Sequence, residues 1–173
     1  MRSNDRVLKQ AQPSDDISRM PRPNGGPILV SYTSSNLGTR RAMQALLDGL
    51  RPVNLSPTDA GRLEVALVEV LNNIVKHAYC GHDTGLIEIT CQPFDDFLSF
   101  DIVDAGLQMP DRCVPDNPLP RTNFPGTLPE GGFGWFLIRQ LSYDIDYSRP
   151  KDINHLHLKI RLEDPAHLRV GSG

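Results

Sequence analysis

The chain is short of several things, and each shortage closes off a class of protein. Its three cysteines, Cys80, Cys91 and Cys113, form no CxxC pair and no zinc spacing. Odd in number and scattered, they read as reduced thiols, which excludes a disulfide framework or a cysteine-based metal site. No apolar run reaches the roughly eighteen residues of a membrane-spanning helix. The first stretch, MRSNDRVLKQAQPSDD, has no hydrophobic segment of the kind that drives secretion, so the cytoplasm is the expected location. Positive charge is not in excess: the net charge is −3 and the pI about 5.9, which leaves no general basic field for nucleic acid. Missing motifs exclude more. There is no GxxxxGK[ST] phosphate loop, no HRD or DFG of the protein kinases, and no GxGxxG within a βαβ unit.

What is present suits one soluble domain with a core of its own. The 173 residues are 39% hydrophobic and 23% charged, ordinary values for a globular chain. The most informative stretch is Arg62–Tyr79, RLEVALVEVLNNIVKHAY. Leu63, Leu67, Val70, Leu71, Ile74 and Ala78 recur at three- and four-residue steps, the buried face of a helix. Glu69, Asn73 and Lys76 share a different face, with His77 on its margin. A carboxylate there could take a proton, and an amide oxygen could ligate a hard cation such as Mg2+. A solvated polar stripe is the plainer alternative.

Around this helix the pattern reads as α+β. Residues 1–26 are polar and end in PRPNGG, a flexible tail. Pro27–Thr33 reads as a strand, with Ser34, Ser35 or Asn36 to cap a helix over Leu37–Leu50. That helix shows apolar Leu37, Ala42, Leu46, Leu47 and Leu50. Arg40 and Arg41 lie early in it, where basic residues oppose the helix dipole; they are either solvated or offered to an acidic partner. Ser56-Pro57-Thr58-Asp59 opens the long helix, and the glycines of Cys80–Gly85 stop it. Leu86–Gln92 and Phe97–Val103 alternate and form a hairpin. Phe133–Leu141 reads as a helix with Phe133, Phe136, Leu137 and Leu141 on one side. Tyr143–Ser148 and Leu156–Leu162 are further strands. His155 and His157 lie two apart with no third ligand, so no metal is expected there. Between Asp104 and Gly132 no period survives, and six prolines and four glycines crowd the segment. So long a loop inside a compact domain is either functional, as a lid over a ligand would be, or disordered. Residues 163–173 form a short tail.

Three segments suit a nucleotide. Asp104 at a strand end could accept a hydrogen bond from an exocyclic amine, and Gly106 would let backbone approach a flat base. Gly131, Gly132, Phe133 and Gly134 open a helix whose N–H groups and dipole favour phosphate. Asn73 could hold Mg2+ against phosphate oxygens, while Glu69 orients or deprotonates an attacking hydroxyl.

Here the residues carry a family resemblance. Glu69-x-x-x-Asn73-x-x-x-His77-Ala78-Tyr79 resembles the N-box of the GHKL ATPases, in the form found in anti-sigma factor serine kinases. Asp104-x-Gly106 resembles their first glycine box, and Glu130-Gly131-Gly132-Phe133-Gly134 their second, in matching order over residues 27–162. The resemblance implies a two-layer α/β sandwich of the Bergerat type, with a mixed, mainly antiparallel sheet and helices on one face. It implies ATP and Mg2+ under a lid near 109–130, with Glu69 as catalytic base and Asn73 as the magnesium ligand. Lys76, His77, Asp104, Gly106, Gly131, Gly132, Phe133 and Gly134 would bind nucleotide, and Arg40 and Arg41 would meet partners. It further implies serine phosphorylation of a STAS-type anti-anti-sigma protein, sequestration of a sigma factor, and a homodimer, with no direct contact to nucleic acid or membrane. A non-catalytic, ATP-gated binding protein of the same fold is the alternative. The chain departs from the family pattern at three points. Leu107-Gln108-Met109 intervenes before Pro110, where a second glycine or a proline often comes soon after the first box. Ile153-Asn154-His155 stands where Gly-Thr is common, and Trp135 where Leu is common.

Overall fold

The computed structural model describes residues 26–115 and 133–163. Strand β1 (Ile28–Thr33) leads into helix α1 (Asn36–Gly49), and helix α2 (Pro57–Asn73) follows. Then come β2 (Leu86–Pro93), β3 (Phe97–Asp104), α3 (Gly134–Leu141), β4 (Asp144–Ser148) and β5 (Asn154–Arg161). The strands form one sheet in the order β1-β2-β3-β5-β4. Every pairing is antiparallel, so the described sheet is uniform where the resemblance allows a mixed one.

The register explains why the sheet has one wet and one dry face. Val30, Ile89, Ile102, Leu156 and Tyr147 align across the five strands, as do Ile28, Cys91, Phe100, Leu158 and Ile145. These rows pack under the helices. The neighbouring row on the other face is Leu29, Thr90, Asp101, His157 and Asp146, polar except at the edge. His157 is engaged there by Asp101, whose carboxylate lies 2.8 Å from its ring nitrogen. That hydrogen bond holds the Asp101 carboxyl below its ordinary range. Among the described residues no group of three ligand-type side chains could hold a metal.

Helix α1 is capped by Ser35, whose hydroxyl accepts from Gly38 N at 2.9 Å. Ser56 caps α2 through Asp59 N at 3.0 Å, and buried Asp59 in turn accepts from Glu163 N at 3.0 Å. The predicted face of α2 is the buried one: Leu63, Leu67, Val70, Leu71 and Ile74 are all sealed. Two expected faces need correction. Leu37 is 57% exposed and Met43 takes its place in the core, because the apolar stripe of α1 begins only after the cap. In α3 the one sealed side chain is Ile138, flanked by half-buried Trp135 and Leu141. The core-facing stripe is thus 135-138-141 rather than 133-136-137-141, on a helix that packs against α2.

Between Ile74 and Ala78 the long helix loosens into a π turn. It ends where Cys80 and Gly81 both adopt positive φ, and Gly81 N reaches back to the Val75 carbonyl at 2.9 Å. No described helix is long and apolar enough to cross a membrane.

Candidate functional site

The site begins with α2, because its side chains past the core stripe face α3 and the turn after β3. Glu69 and Asn73 are half-buried one turn apart. Gly134, the first residue of α3, sits against both. A Cβ there would come 2.7 Å from Glu69 Oε2 and 3.6 Å from Asn73 Nδ2. The Asn73 amide nitrogen is sealed from solvent and has no hydrogen-bond partner among the described residues. An unpaired buried amide is costly, so a site that leaves one is built to have it filled. The first turn of α3 carries no side-chain cap, which leaves its N–H groups available to an anion.

The second wall is the turn Asp104-Ala105-Gly106. Gly106 packs on the end of α2 so closely that a Cβ would lie 2.7 Å from the Ala78 carbonyl oxygen, and Leu107 N donates to that oxygen at 2.8 Å. Asp104 is 5% exposed. Its Oδ1 accepts from Gly106 N and from the Asn154 amide, both at 2.8 Å. Burial pushes its carboxyl above the ordinary range, while these two donors and the Arg149 charge pull it back. Tyr79 ties the turn to the sheet: its hydroxyl accepts from Ala105 N and donates to the Leu86 carbonyl, each at 3.0 Å. Burial raises the Tyr79 phenol above its usual value.

Between the walls lies a cavity of about 430 Å³, lined by Asn73, His77, Asp104, Met109, Trp135 and Asn154 among others. A larger, more open cleft of about 1030 Å³ lies between α1 and α2. It holds neither Asp104 nor Asn73, so the smaller cavity is the candidate site.

The structure brings Glu69, Asn73, His77, Asp104, Gly106 and Gly134 to one end of the sheet. Phe133 is the N-cap of α3 and adjoins them. Lys76 departs from this group. It is exposed and lines the larger cleft with Arg40, Glu64 and Asp83, not the cavity that holds Asn73. The cause is the π turn, whose wider winding carries Lys76 round to the α1 side while His77 stays beside Asn73. Arg40 and Arg41 also diverge: Arg41 lines a shallow pocket beside β1. Gly131 and Gly132 lie outside the described residues, as do Glu130 and most of the 109–130 segment.

Sequence reasoning gave no role to Asn154, Tyr147, Arg149 or the Tyr79 hydroxyl. Asn154 Oδ1 accepts from the Tyr147 hydroxyl at 2.6 Å and from Arg149 Nη1. Only the strand register, which pairs Asp104 with Asn154, reveals the first of them.

The residues also fit a magnesium ion. The Asn73 Oδ1 and the Glu69 carboxylate are hard oxygen donors one turn apart, of the kind Mg2+ takes, while the sealed Nδ2 can only donate a hydrogen bond.

A family model described as a histidine kinase-like ATPase domain matches residues 33–160. The serine-protein kinase RsbW of Oceanobacillus iheyensis is 32% identical over 91 residues, 48% of this chain and 54% of its own. The chain thus spans about half the length of that curated relative. The catalytic domain of the histidine kinase ThkA, in a nucleotide-free form, aligns at a TM-score of 0.45 and 13% identity, over 78% of this chain and 97% of that one.

Proposed function

Proceeding from the fact that the chain belongs to the histidine kinase-like ATPase domain family, we propose that it is an ATP-dependent serine kinase of the anti-sigma type. Its substrate would be a STAS-type anti-anti-sigma protein in a partner-switching pair, with a sigma factor as the alternate partner. It would act in the cytoplasm. The observation that carries the reading is Gly134 pressed against Glu69 and an unpaired, sealed Asn73 amide. Similarity to a serine-protein kinase supports the reaction class.

In this reading the adenine ring enters the cavity at Asp104, and the triphosphate runs toward the first turn of α3. The serine oxygen attacks the γ-phosphorus as its proton passes to the Glu69 carboxylate. The bond from that phosphorus to the bridging oxygen breaks, and its electron pair leaves with ADP. Asn73 would hold the magnesium ion, which supplies charge neutralisation to the phosphate oxygens when bound. Gly134 keeps the floor flat enough for Glu69 to approach. His77 lines the cavity and is given a binding rather than a chemical role.

The test is transfer from γ-labelled ATP to purified STAS-type candidates, followed by mapping of the modified residue. Label on serine, lost in Glu69→Gln, supports the kinase. Nucleotide binding without transfer to any candidate would sink it.

A further inference from the structure

The Asp104 turn is held by residues that no glycine box includes. Asn154 opens β5 opposite Asp104 in the register and is 4% exposed. Its amide nitrogen donates to Asp104 Oδ1 at 2.8 Å and to the Leu107 carbonyl at 3.1 Å. Its oxygen accepts from the Tyr147 hydroxyl and from Arg149. Arg149 Nη1 donates as well to the Gly106 carbonyl at 3.0 Å.

A guanidinium can only donate, whereas a carboxamide has one donating and one accepting end. Arg149 on one side and the acceptors Asp104 Oδ1 and the Leu107 carbonyl on the other therefore fix which way the Asn154 amide points. The oxygen faces Arg149, and the nitrogen faces Asp104. The flipped amide would set N–H against guanidinium and carbonyl against carboxylate. In the observed orientation Asp104 Oδ1 receives two N–H donors, an arrangement suited to a carboxylate. Oδ2 has no hydrogen bond among the described residues, and Asp104 lines the cavity. An acceptor on that wall pairs with a ligand amine and repels a ligand carbonyl.

Resting on the nucleotide reading above, we propose that Arg149 and Asn154 are positioning residues that set the base preference of this site. They hold Asp104 as an acceptor, so that the pocket takes a 6-aminopurine nucleotide in preference to a 6-oxopurine one.

The test is displacement of a fluorescent ATP analogue by ATP and by GTP, on the full chain. Wild type is compared with Asn154→Asp, Arg149→Met and Arg149→Lys, and each unliganded variant is melted alongside. Asn154→Asp sets a second carboxylate against Asp104, so one of the two takes up a proton and can donate. The preference for ATP over GTP should then fall ~10- to 100-fold. Arg149→Met should lower the preference in the same direction, because it removes the donor on the amide oxygen and the charge that favours the Asp104 carboxylate. Arg149→Lys keeps a donor and should retain most of it. A merely structural role costs ATP and GTP affinity equally, and that result would overturn the inference. A wild-type preference in Arg149→Met would do the same. Should Asn154→Asp fail to fold, the two Arg149 variants decide, since that side chain is 16% exposed at the rim of the network. A wild-type chain that binds neither nucleotide removes the ATP reading itself, a different failure from loss of the preference alone.

Discussion

Gly134 and Glu69 lie so close that a methyl group at 134 would displace the carboxylate: a Cβ would stand 2.7 Å from its oxygen Oε2. The clash falls on the mobile end of the Glu69 side chain rather than on backbone, so Gly134→Ala should leave the melting temperature close to wild type. Pushing the carboxylate aside should lower phosphoryl transfer ~100-fold. Rate and melting curve measured on one preparation check both halves.

Glu69 and Asn73 should separate in their effects. Glu69→Gln is expected to slow transfer ~100- to 10,000-fold while nucleotide affinity stays within a few-fold. Asn73→Ala should remove the magnesium dependence of nucleotide binding, and chelation of Mg2+ should weaken wild type toward that variant. The lost amide has no partner among the described residues, so the unliganded variant should melt no lower than wild type. Calorimetric titration with and without Mg2+ decides the matter.

Asp104 should give pH effects of opposite sign in folding and in binding. Burial raises its carboxyl above the ordinary 3.8. Stability from this group is full below the unfolded value and declines as pH rises through the higher folded one. Relative to Asp104→Asn, wild type should lose melting temperature across that window. Binding of an amine-bearing base uses the ionised form, so ATP affinity should rise over the same window in wild type and stay flat in the variant. Taking the difference removes the contribution of Asp101, whose carboxyl is shifted downward by His157.

Tyr79→Phe takes away the hydroxyl that joins the Ala105 amide to the Leu86 carbonyl. Both contacts lie near solvent, so water offsets part of the loss, and the cost should be ~1 kcal/mol. Faster hydrogen exchange at the Ala105 amide, with core amides unchanged, is the expected signature.

Much of this was legible before the fold was known, for local reasons. The long helix, the Ser56 cap, a cap for α1 among Ser34, Ser35 and Asn36, the β2–β3 hairpin and all five strands follow from periods and turn residues that lie within a few positions of one another. The failures share a cause, which is dependence on something distant. Ile138 and Trp135 face the core because α3 packs against α2, and the period of α3 alone does not say which of its faces makes that contact. Lys76 is misgrouped because regular winding was assumed through Ile74–Ala78, where the helix is a π turn. The Asn154 network joins residues fifty positions apart and exists only through the pairing of β3 with β5. Gly131 and Gly132 lie outside the described residues.

The slack turn at Ile74–Ala78 also acts as a spacer. A regular α-helix advances about 1.5 Å and turns about 100° for each residue. A π turn holds one more residue per turn than an α turn, so Ile74–Ala78 takes up an extra residue within the length of one ordinary turn. That places the Ala78 oxygen where Leu107 N donates to it and where Gly106 packs. The gap between the end of α2 and the Asp104 turn is therefore gauged by how loosely a neighbouring helix is wound.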